Sequence, residues 1–189
     1  MKSNKNNALA DSLLDWAETV VFAVFMVLLC FMFVFRIATV NGESMENTLF
    51  QNDKLVISHL LYTPKQGDIV VINSDVMEET IIKRIVAVQN QKVVIDCKKG
   101  TITVDGKILD EPYVKEDFLS EANLFAKEFY NSDNDTYEYK VPFGYVFVLG
   151  DNRNKSTDSR RIGFVPKSEI VGRVVFRFYS EKAGLGKVS

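Results

Sequence analysis

The chain opens with a long apolar run and then changes to short apolar segments separated by polar turns. Sixteen consecutive apolar residues occupy positions 20–35. As a helix they would rise about 24 Å, slightly less than the roughly 30 Å hydrocarbon core of a bilayer. Extension from Trp16 to Ala38 supplies the missing length, with Trp16 at one interface and Arg36 at the other. The pattern predicts a transmembrane signal anchor at residues 16–38.

The flanks of this anchor predict how the chain is placed in a membrane. Lys2 and Lys5 precede the apolar run and only Arg36 follows it closely, which favours a cytoplasmic N-terminus at residues 1–15. A cleaved signal peptide is the alternative. Its apolar region would normally be 7–15 residues long, and no small-x-small cleavage site is present that would spare the residues around Ser44. We therefore expect a cell-membrane protein with a single span and its main domain outside the cytoplasm.

Downstream of the anchor, the apolar residues recur with the spacing of β-strands. Strands are predicted at 54–58, 68–72, 80–88, 92–96, 101–104, 107–109, 145–149 and 170–179. Asp105-Gly106 is a strong hairpin signal between two of them. A helical stretch is expected at 117–130, followed by a polar loop at 131–135. The fold class is mainly β, a barrel or sandwich domain at 39–180 behind one helix, with a flexible tail at 181–189.

The composition argues against several classes of function. The chain of 189 residues has 23 basic and 25 acidic residues and a net charge of −2, so nothing indicates a nucleic-acid partner. A single histidine, His59, argues against a zinc site with paired imidazoles, and a Ser-His-Asp triad would depend on it alone. Cys30 lies in the apolar run and Cys97 far downstream, so no disulfide framework is expected, and Cys97 is interpreted as a core or edge residue.

Two residues suggest covalent chemistry without histidine. Ser44 lies in a turn-like segment shortly after the anchor, and Lys83 lies inside a strand with apolar residues on both faces. Burial penalises the ammonium form and lowers the pKa of a lysine, so Lys83 is a candidate neutral base for Ser44. Each feature alone also fits ordinary structure: Ser44 as a turn cap beside a core Met45, and Lys83 with its head in water.

A third segment, 150–161, follows a strand and is rich in hydroxyls and opposite charges. It can supply a second hydroxyl that orients a neutral lysine, together with carboxylate–guanidinium pairs that keep the loop rigid. A charged, solvated turn is the alternative interpretation.

Together these segments resemble the bacterial type I signal peptidases, which are membrane-bound serine proteases with a Ser–Lys dyad. The likeness covers nearly the whole chain and is closest to the single-anchor enzymes of Gram-positive bacteria. After the anchor it rests on Gly42-Glu43-Ser44-Met45, Gly67-Asp68-Ile69-Val70-Val71, Lys83-Arg84, Val104-Asp105-Gly106, Glu111-Pro112-Tyr113, Gly150-Asp151-Asn152-Arg153, Ser156, Asp158-Ser159-Arg160 and Gly163-Phe164-Val165-Pro166.

The resemblance implies a role for each residue of the site. Ser44 would be the nucleophile, with its backbone N–H holding the oxyanion, and Lys83 would be the general base, oriented by Ser156. Asp151 would pair with Arg84, and Asp158 with Arg160. The substrates would be exported preproteins with small residues before the cut, and membrane lipid and the secretion machinery would be further partners. No metal or cofactor is implied. The candidate substrate-pocket residues are Val40, Met45, Leu49, Val71, Ile81 and Ile82.

The chain departs from the family in three places. Gly42 replaces a serine that donates to the oxyanion in many relatives, Asn47 replaces a proline, and residues 87–91 replace Gly-Leu-Pro-Gly-Asp. Two alternatives follow: a weakly active or inactive assembly factor for surface proteins such as pilins, and a self-cleaving repressor. The repressors carry a DNA-binding domain, which is not expected here. The intact Ser44, Lys83 and Ser156 favour the peptidase.

Overall fold

The N-terminal helix α1 spans Ser3–Val34 in the computed structural model, which describes residues 3–114 and 125–188. Its segment Leu13–Val34, of 22 residues with a mean hydropathy of 2.5, is long and apolar enough to cross a membrane by length and composition. The helix ends four residues before Ala38, the predicted end of the anchor, because strand β1 begins at Phe35. The chain just beyond β1 is held by backbone hydrogen bonds, since Val40 donates to Asp53 and accepts from Asn52.

The chain separates into two units, one ending at Arg36 and one beginning at Ile37. The second unit is mainly β, as the sequence predicts. Its strands after β1 (Phe35–Thr39) are β2 (Lys54–Ser58), β3 (Ile69–Ser74), β4 (Glu79–Val88), β5 (Lys92–Asp96), β6 (Thr101–Val104), β7 (Lys107–Ile108), β8 (Tyr130–Asn131), β9 (Thr136–Lys140), β10 (Tyr145–Leu149), β11 (Val165–Pro166) and β12 (Ile170–Tyr179). A one-turn helix, α2, covers Ser159–Ile162.

Within the described residues these strands form two sheets. The larger has the order β1-β2-β12-β3-β4-β10-β11 and the smaller the order β7-β6-β5-β9-β8. The alternating apolar residues of β3 enter two different cores: Ile69 and Val71 pack on one face, and Val70 and Ile72 on the other. The smaller sheet encloses a third core around Tyr139. Burial on both faces makes β3 and its neighbour β4 the rigid centre of the domain.

The register of β4 matters most for the site. On one side, β3 pairs along most of β4, with Val70 opposite Lys83 and Ser74 opposite Glu79. On the other side, β10 pairs only as far as Leu149 opposite Arg84. Residues 79–83 therefore have β3 as a neighbour on one edge and an open backbone edge on the other, and the loop that follows β10 begins beside Arg84.

Three further sequence predictions have structural outcomes. The predicted helix at 117–130 lies mostly outside the described residues, and its described end is a 3-10 turn at Lys127–Phe129 followed by β8. Part of the predicted polar loop at 131–135 is the turn between β8 and β9. The tail was predicted to be loose, but Arg177 and Gly186 exchange two backbone hydrogen bonds and Val188 packs on an apolar core.

Candidate active site

Ser44 lies in the connection between β1 and β2, on a turn that two buried side chains hold in place. Met45 and Leu49 are 1% and 0% exposed and belong to the core beside β3. The amides of Thr48 and Leu49 both donate to the carbonyl of Met45, at 3.1 and 2.9 Å. Because its neighbour is buried in this way, Ser44 is held at the surface of the core rather than on a free loop.

Lys83 meets Ser44 from the middle of β4. Its Nζ lies 2.7 Å from the Ser44 Oγ and 3.2 Å from the Ile82 carbonyl oxygen, and the residue is only 3% exposed. Burial lowers the pKa of the Lys83 amine, and Arg160 lowers it further, whereas Asp158, Glu79 and Asp151 act in the opposite direction. The net direction is downward, which increases the fraction of neutral amine available to accept a proton.

Gly150, the first residue after β10, is packed between two parts of the site. A Cβ at this position would lie 2.3 Å from the Ser156 Oγ and 2.4 Å from the Ser44 carbonyl oxygen, well inside contact distance. Only glycine allows both atoms to approach so closely. Asn152 then donates from its backbone N–H to the same Ser44 carbonyl, at 3.0 Å. The loop after β10 is thus packed directly against the nucleophile turn.

Ser156 lies on this loop and is buried, at 4% exposure. Its hydroxyl neighbours the Asp158 carboxylate and contributes to lowering the pKa of that group. No hydrogen bond of acceptable geometry joins the hydroxyl to any residue in the described parts of the chain. The hydroxyl is close to the site, but the expected hydrogen bond from Ser156 to the amine of Lys83 is not formed in this structure.

Two buried ion pairs stand on either side of this loop. Arg84 binds Asp151 through two 2.8 Å contacts, and the Thr48 hydroxyl donates to the same carboxylate at 2.5 Å. Asp158 accepts from Arg160 at 2.7 and 2.8 Å. Burial alone would raise the pKa of Asp158, but the guanidinium of Arg160 outweighs it and the pKa is lowered. The structure brings together both pairs that the resemblance implies.

A cleft of about 320 Å³ opens beside the dyad. Ser44, Lys83, Ile81 and Ile82 line it, as does Thr157 from the loop after β10. Of the six pocket candidates, only Ile81 and Ile82 are in this lining. The other four, Val40, Met45, Leu49 and Val71, are at most 3% exposed and belong to the core beneath it, since their strand or turn positions direct them inward.

Several site residues were not assigned a role from the sequence. Glu79 lines the cleft, four positions before Lys83 in the same strand, and its alternation with Lys83 is a signal that could have identified it. Glu43 and Lys155 form an exposed ion pair of 2.8 Å at the rim. The contacts of Thr48 and of the Glu111–Arg153 pair join residues far apart in the sequence, so no local pattern reveals them.

The geometry just described places a serine hydroxyl 2.7 Å from a buried lysine amine. A family model described as "Signal peptidase, peptidase S26" matches residues 13–179. The chain belongs to this family. It is therefore a serine endopeptidase of the kind that removes signal peptides, and these comparisons give no support to the assembly-factor alternative.

Individual relatives align with almost the full chain. The signal peptidase I S of Bacillus subtilis strain 168 is 35% identical over 185 residues, which cover 95% of each chain. The signal peptidase I P of Bacillus subtilis subsp. natto is 33% identical over 177 residues, or 89% of this chain and 90% of that one. A crystal structure of a signal peptidase I from Enterococcus faecalis V583 is 26% identical, with a TM-score of 0.42, and covers 59% of this chain and 97% of that chain.

The structure gives a physical reason for one departure from the signal peptidase pattern. The turn from Met45 to Thr48 is closed by a hydrogen bond, and its third residue, Asn47, has φ = 99°. Proline has φ fixed near −65° and cannot adopt this conformation, whereas asparagine tolerates the left-handed region better than most residues. Asn47 therefore suits the turn that this chain forms.

Proposed function

We propose that Ser44 is the nucleophile and Lys83 the general base with which this peptidase removes signal peptides from exported preproteins. The observation that carries the proposal is the 2.7 Å distance between the Ser44 Oγ and an amine that is almost fully buried. A hydroxyl needs a base within hydrogen-bond reach to become a nucleophile, and a lysine serves as that base only when it is neutral. Burial of Lys83 favours the neutral form.

The reaction follows from these positions. Neutral Lys83 takes the proton of Ser44 as the Oγ attacks the carbonyl of the scissile bond, and the protonated amine then gives that proton to the departing amine of the mature protein. Lys83 next activates a water molecule that hydrolyses the acyl-enzyme. The oxyanion is held by the backbone N–H of Ser44, which donates to no acceptor in the described parts of the chain. Gly42 provides no side-chain donor.

Ser156 completes this arrangement as the residue that orients the amine. Its hydroxyl is buried beside Gly150 and neighbours the Asp158 carboxylate. Rotation of a hydroxyl costs little, so it can pair with Lys83 once the amine is neutral and able to accept. Arg84, Asp151, Asp158 and Arg160 hold the loop and strand around it.

Substrate recognition uses the open edge of β4. An extended peptide can pair with residues 79–83, because β10 stops at Leu149 and leaves that backbone without a strand partner. Ile81 and Ile82 form the apolar wall beside the dyad. A cleft of this size with a half-buried nucleophile favours small side chains next to the bond that is cut.

The helix α1 would anchor this chemistry to a membrane. Ser44 lies ten positions after the helix end at Val34, and a chain of this length spans at most about 36 Å. The positive charges at Lys2 and Lys5 favour a cytoplasmic N-terminus and an extracytoplasmic catalytic domain. The substrates would then arrive from the secretion machinery, with lipid beside the cleft. Protease added outside intact cells should degrade the domain, and its survival until the cells are lysed would contradict this orientation.

The test is cleavage of a preprotein with an Ala-x-Ala signal sequence, in lipid or detergent. Ser44→Ala and Lys83→Ala should each lower the rate by about 10²–10⁴-fold or more, and Lys83→Arg should fail as well because a guanidinium stays charged. The exposed residues Ser168 and Lys92 provide matched controls, Ser168→Ala and Lys92→Ala, which should cleave normally. Normal cleavage by a folded Lys83→Ala protein would exclude Lys83 as the base.

A further inference from the structure

The short segment Glu111–Tyr113 leaves the smaller sheet just after β7 and runs to the catalytic loop. It forms a turn of its own, since the N–H of Val114 donates to the Glu111 carbonyl at 3.0 Å. Glu111 and Tyr113 are each partly buried, whereas Pro112 between them is exposed. Neither side chain touches the dyad, so nothing in the mechanism uses them directly.

Glu111 reaches the loop after β10 through Arg153. The Arg153 guanidinium binds both carboxylate oxygens of Glu111, one of them at 3.1 Å, and the two side chains are 1% and 12% exposed. The same guanidinium donates to the Gly150 carbonyl at 3.0 Å, and the Arg153 carbonyl accepts from Arg160 at 2.7 Å. The buried Glu111–Arg153 pair thereby fixes the loop at two points. The first is Gly150, which packs on Ser44 and Ser156, and the second is Arg160, which holds Asp158.

Tyr113 reaches the other half of the site, the strand that carries Lys83. Its ring lies 3.8 Å from the guanidinium carbon of Arg84, a cation–π distance, and Arg84 binds Asp151. The Tyr113 hydroxyl donates to Glu111 at 3.1 Å, which joins the two contacts into one unit. Burial raises the pKa of Tyr113, so this hydroxyl remains a donor through the working pH range.

We propose that Glu111 and Tyr113 are positioning residues for the peptidase reaction, which together hold the strand carrying Lys83 and the loop carrying Ser156 in register. The proposal rests on the proposed roles of Ser44 and Lys83. The smaller sheet thereby contributes to catalysis through these two side chains, although its strands lie away from the dyad. Breaking either contact lets the loop after β10 move away from β4 without removing any group that reacts.

The position of the loop after β10 determines how well water is excluded from the Lys83 amine. The charged groups that act on the amine are Glu79 on its own strand and Asp151, Asp158 and Arg160 on the loop, with burial as the largest effect. If the loop loosens, water reaches the amine and the depression of its pKa diminishes. The pKa of Lys83 then rises towards its ordinary value, and the fraction of neutral base at neutral pH falls.

The first experiment compares Glu111→Gln, which keeps the side-chain shape and removes the charge, with wild type in full-length protein. We expect kcat to fall about tenfold with KM changed less than twofold, and the acidic limb of the kcat/KM profile to move about one pH unit upward. Glu138→Gln is the matched control, because it breaks an exposed ion pair with Lys92 in the smaller sheet. It should leave kcat and the pH profile unchanged.

Two substitutions of Tyr113 distinguish its hydrogen bond to Glu111 from its ring contact with Arg84. Tyr113→Phe keeps the ring over Arg84 and loses only the hydrogen bond to Glu111, so we expect a smaller loss than for Tyr113→Leu, which also loses the ring. Tyr130→Phe is the control, since it removes a comparable hydrogen bond from an exposed tyrosine to Asp135. Glu111→Asp should recover part of the activity that Glu111→Gln loses.

The results that would overturn the proposal are distinct from those that would overturn the proposed function. A Glu111→Gln protein with a lower melting temperature but an unchanged kcat and pH limb would mean that the pair is only structural. If Glu111→Gln fails to fold, the acidic limb of the kcat/KM profile is measured for Tyr113→Phe and Tyr113→Leu instead. An unshifted limb in both variants refutes the proposal. Ser44→Ala is assayed in parallel, and its cleavage would instead refute the catalytic role of Ser44.

Discussion

Lys83 and Ser44, the proposed base and nucleophile of this peptidase, are positioned in two different ways. Lys83 belongs to β4, a ten-residue strand near the centre of the larger sheet, and its neighbours Ile81, Arg84 and Ile85 are all buried. Pairing with β3 fixes its backbone, because the two strands pair residue by residue before and after Lys83. The backbone that carries the amine is thus held by regular hydrogen bonds between strands.

Ser44 is positioned by contacts from distant parts of the chain. Its turn contains two residues with left-handed backbone, Gly42 at φ = 101° and Asn47 at φ = 99°. The turn is held from outside by Asn152, which donates to the Ser44 carbonyl, and by Arg177, which donates to the Thr48 carbonyl at 2.8 Å. Remote substitutions should therefore move the nucleophile more easily than the base.

The largest expected effect comes from the base itself. Lys83→Met should abolish cleavage and make the domain more stable at neutral pH, because it removes an amine whose charged form is penalised by burial. The lowered pKa of Lys83 determines whether stability rises or falls with pH. Between that pKa and about 10.4 the unfolded wild type binds a proton that the folded protein does not, so wild-type stability rises with pH. The advantage of methionine should shrink as pH rises.

Denaturant unfolding of both proteins across that pH range measures this difference. A stability difference that stays constant with pH would show that Lys83 has the same pKa in the folded and unfolded states. Thermal unfolding at neutral pH provides a second reading from the same pair of proteins.

Gly150→Ala should have the next largest effect and should act on the nucleophile side. The new Cβ would overlap the Ser44 carbonyl and the Ser156 hydroxyl, so the turn and the loop must separate. We expect a loss of stability of about 1–3 kcal/mol and a large loss of kcat. Gly184→Ala is the control, since a Cβ there meets no atom within 4 Å. Equal activity of the two variants would show that this close approach is not needed.

Arg177→Met tests the brace on the turn with a smaller expected effect. Arg177 donates to the Thr48 carbonyl and to the Gly184 carbonyl in the tail, and it also pairs with the buried Asp53 carboxylate at 3.4 Å, so its loss affects all three. We expect kcat to fall by about three- to tenfold, within the range of one lost charged hydrogen bond. Arg173→Met on the same strand breaks only a pair with Asp68 and should be nearly neutral. Steady-state cleavage of both variants is the measurement.

The smallest effect is expected at Asn47. Asn47→Gly should be nearly neutral because glycine adopts positive φ freely, whereas Asn47→Ala should cost about 1 kcal/mol. Asn47→Pro, which restores the residue usual in the family, should be worse than either, since proline cannot reach φ = 99°. Melting temperatures of the three proteins give this order, and a stable, fully active proline variant would contradict the turn described here.

Much of the fold could be predicted from local pattern. Strands β2, β5, β6, β10 and β12 have the bounds expected from alternating apolar residues, because each buries at least one face. Strand β9 was not predicted, although Thr136–Lys140 alternates in the expected way, because the polar residues before it were interpreted as an open loop. The end of α1 was misplaced because pairing next to β2 competes with helix at residues 35–39.

The sequence by itself determined the chemistry: a serine on a turn, a lysine whose strand neighbours are apolar, and a loop of opposite charges after β10. These are local properties, since burial of Lys83 follows from the residues beside it. Only the tertiary structure decided which side chains line the cleft, that Met45 and Leu49 lie beneath it, and that Glu111 and Tyr113 join the two halves of the site. Those contacts connect residues dozens of positions apart, so they arise only when sheet register and packing bring the segments together.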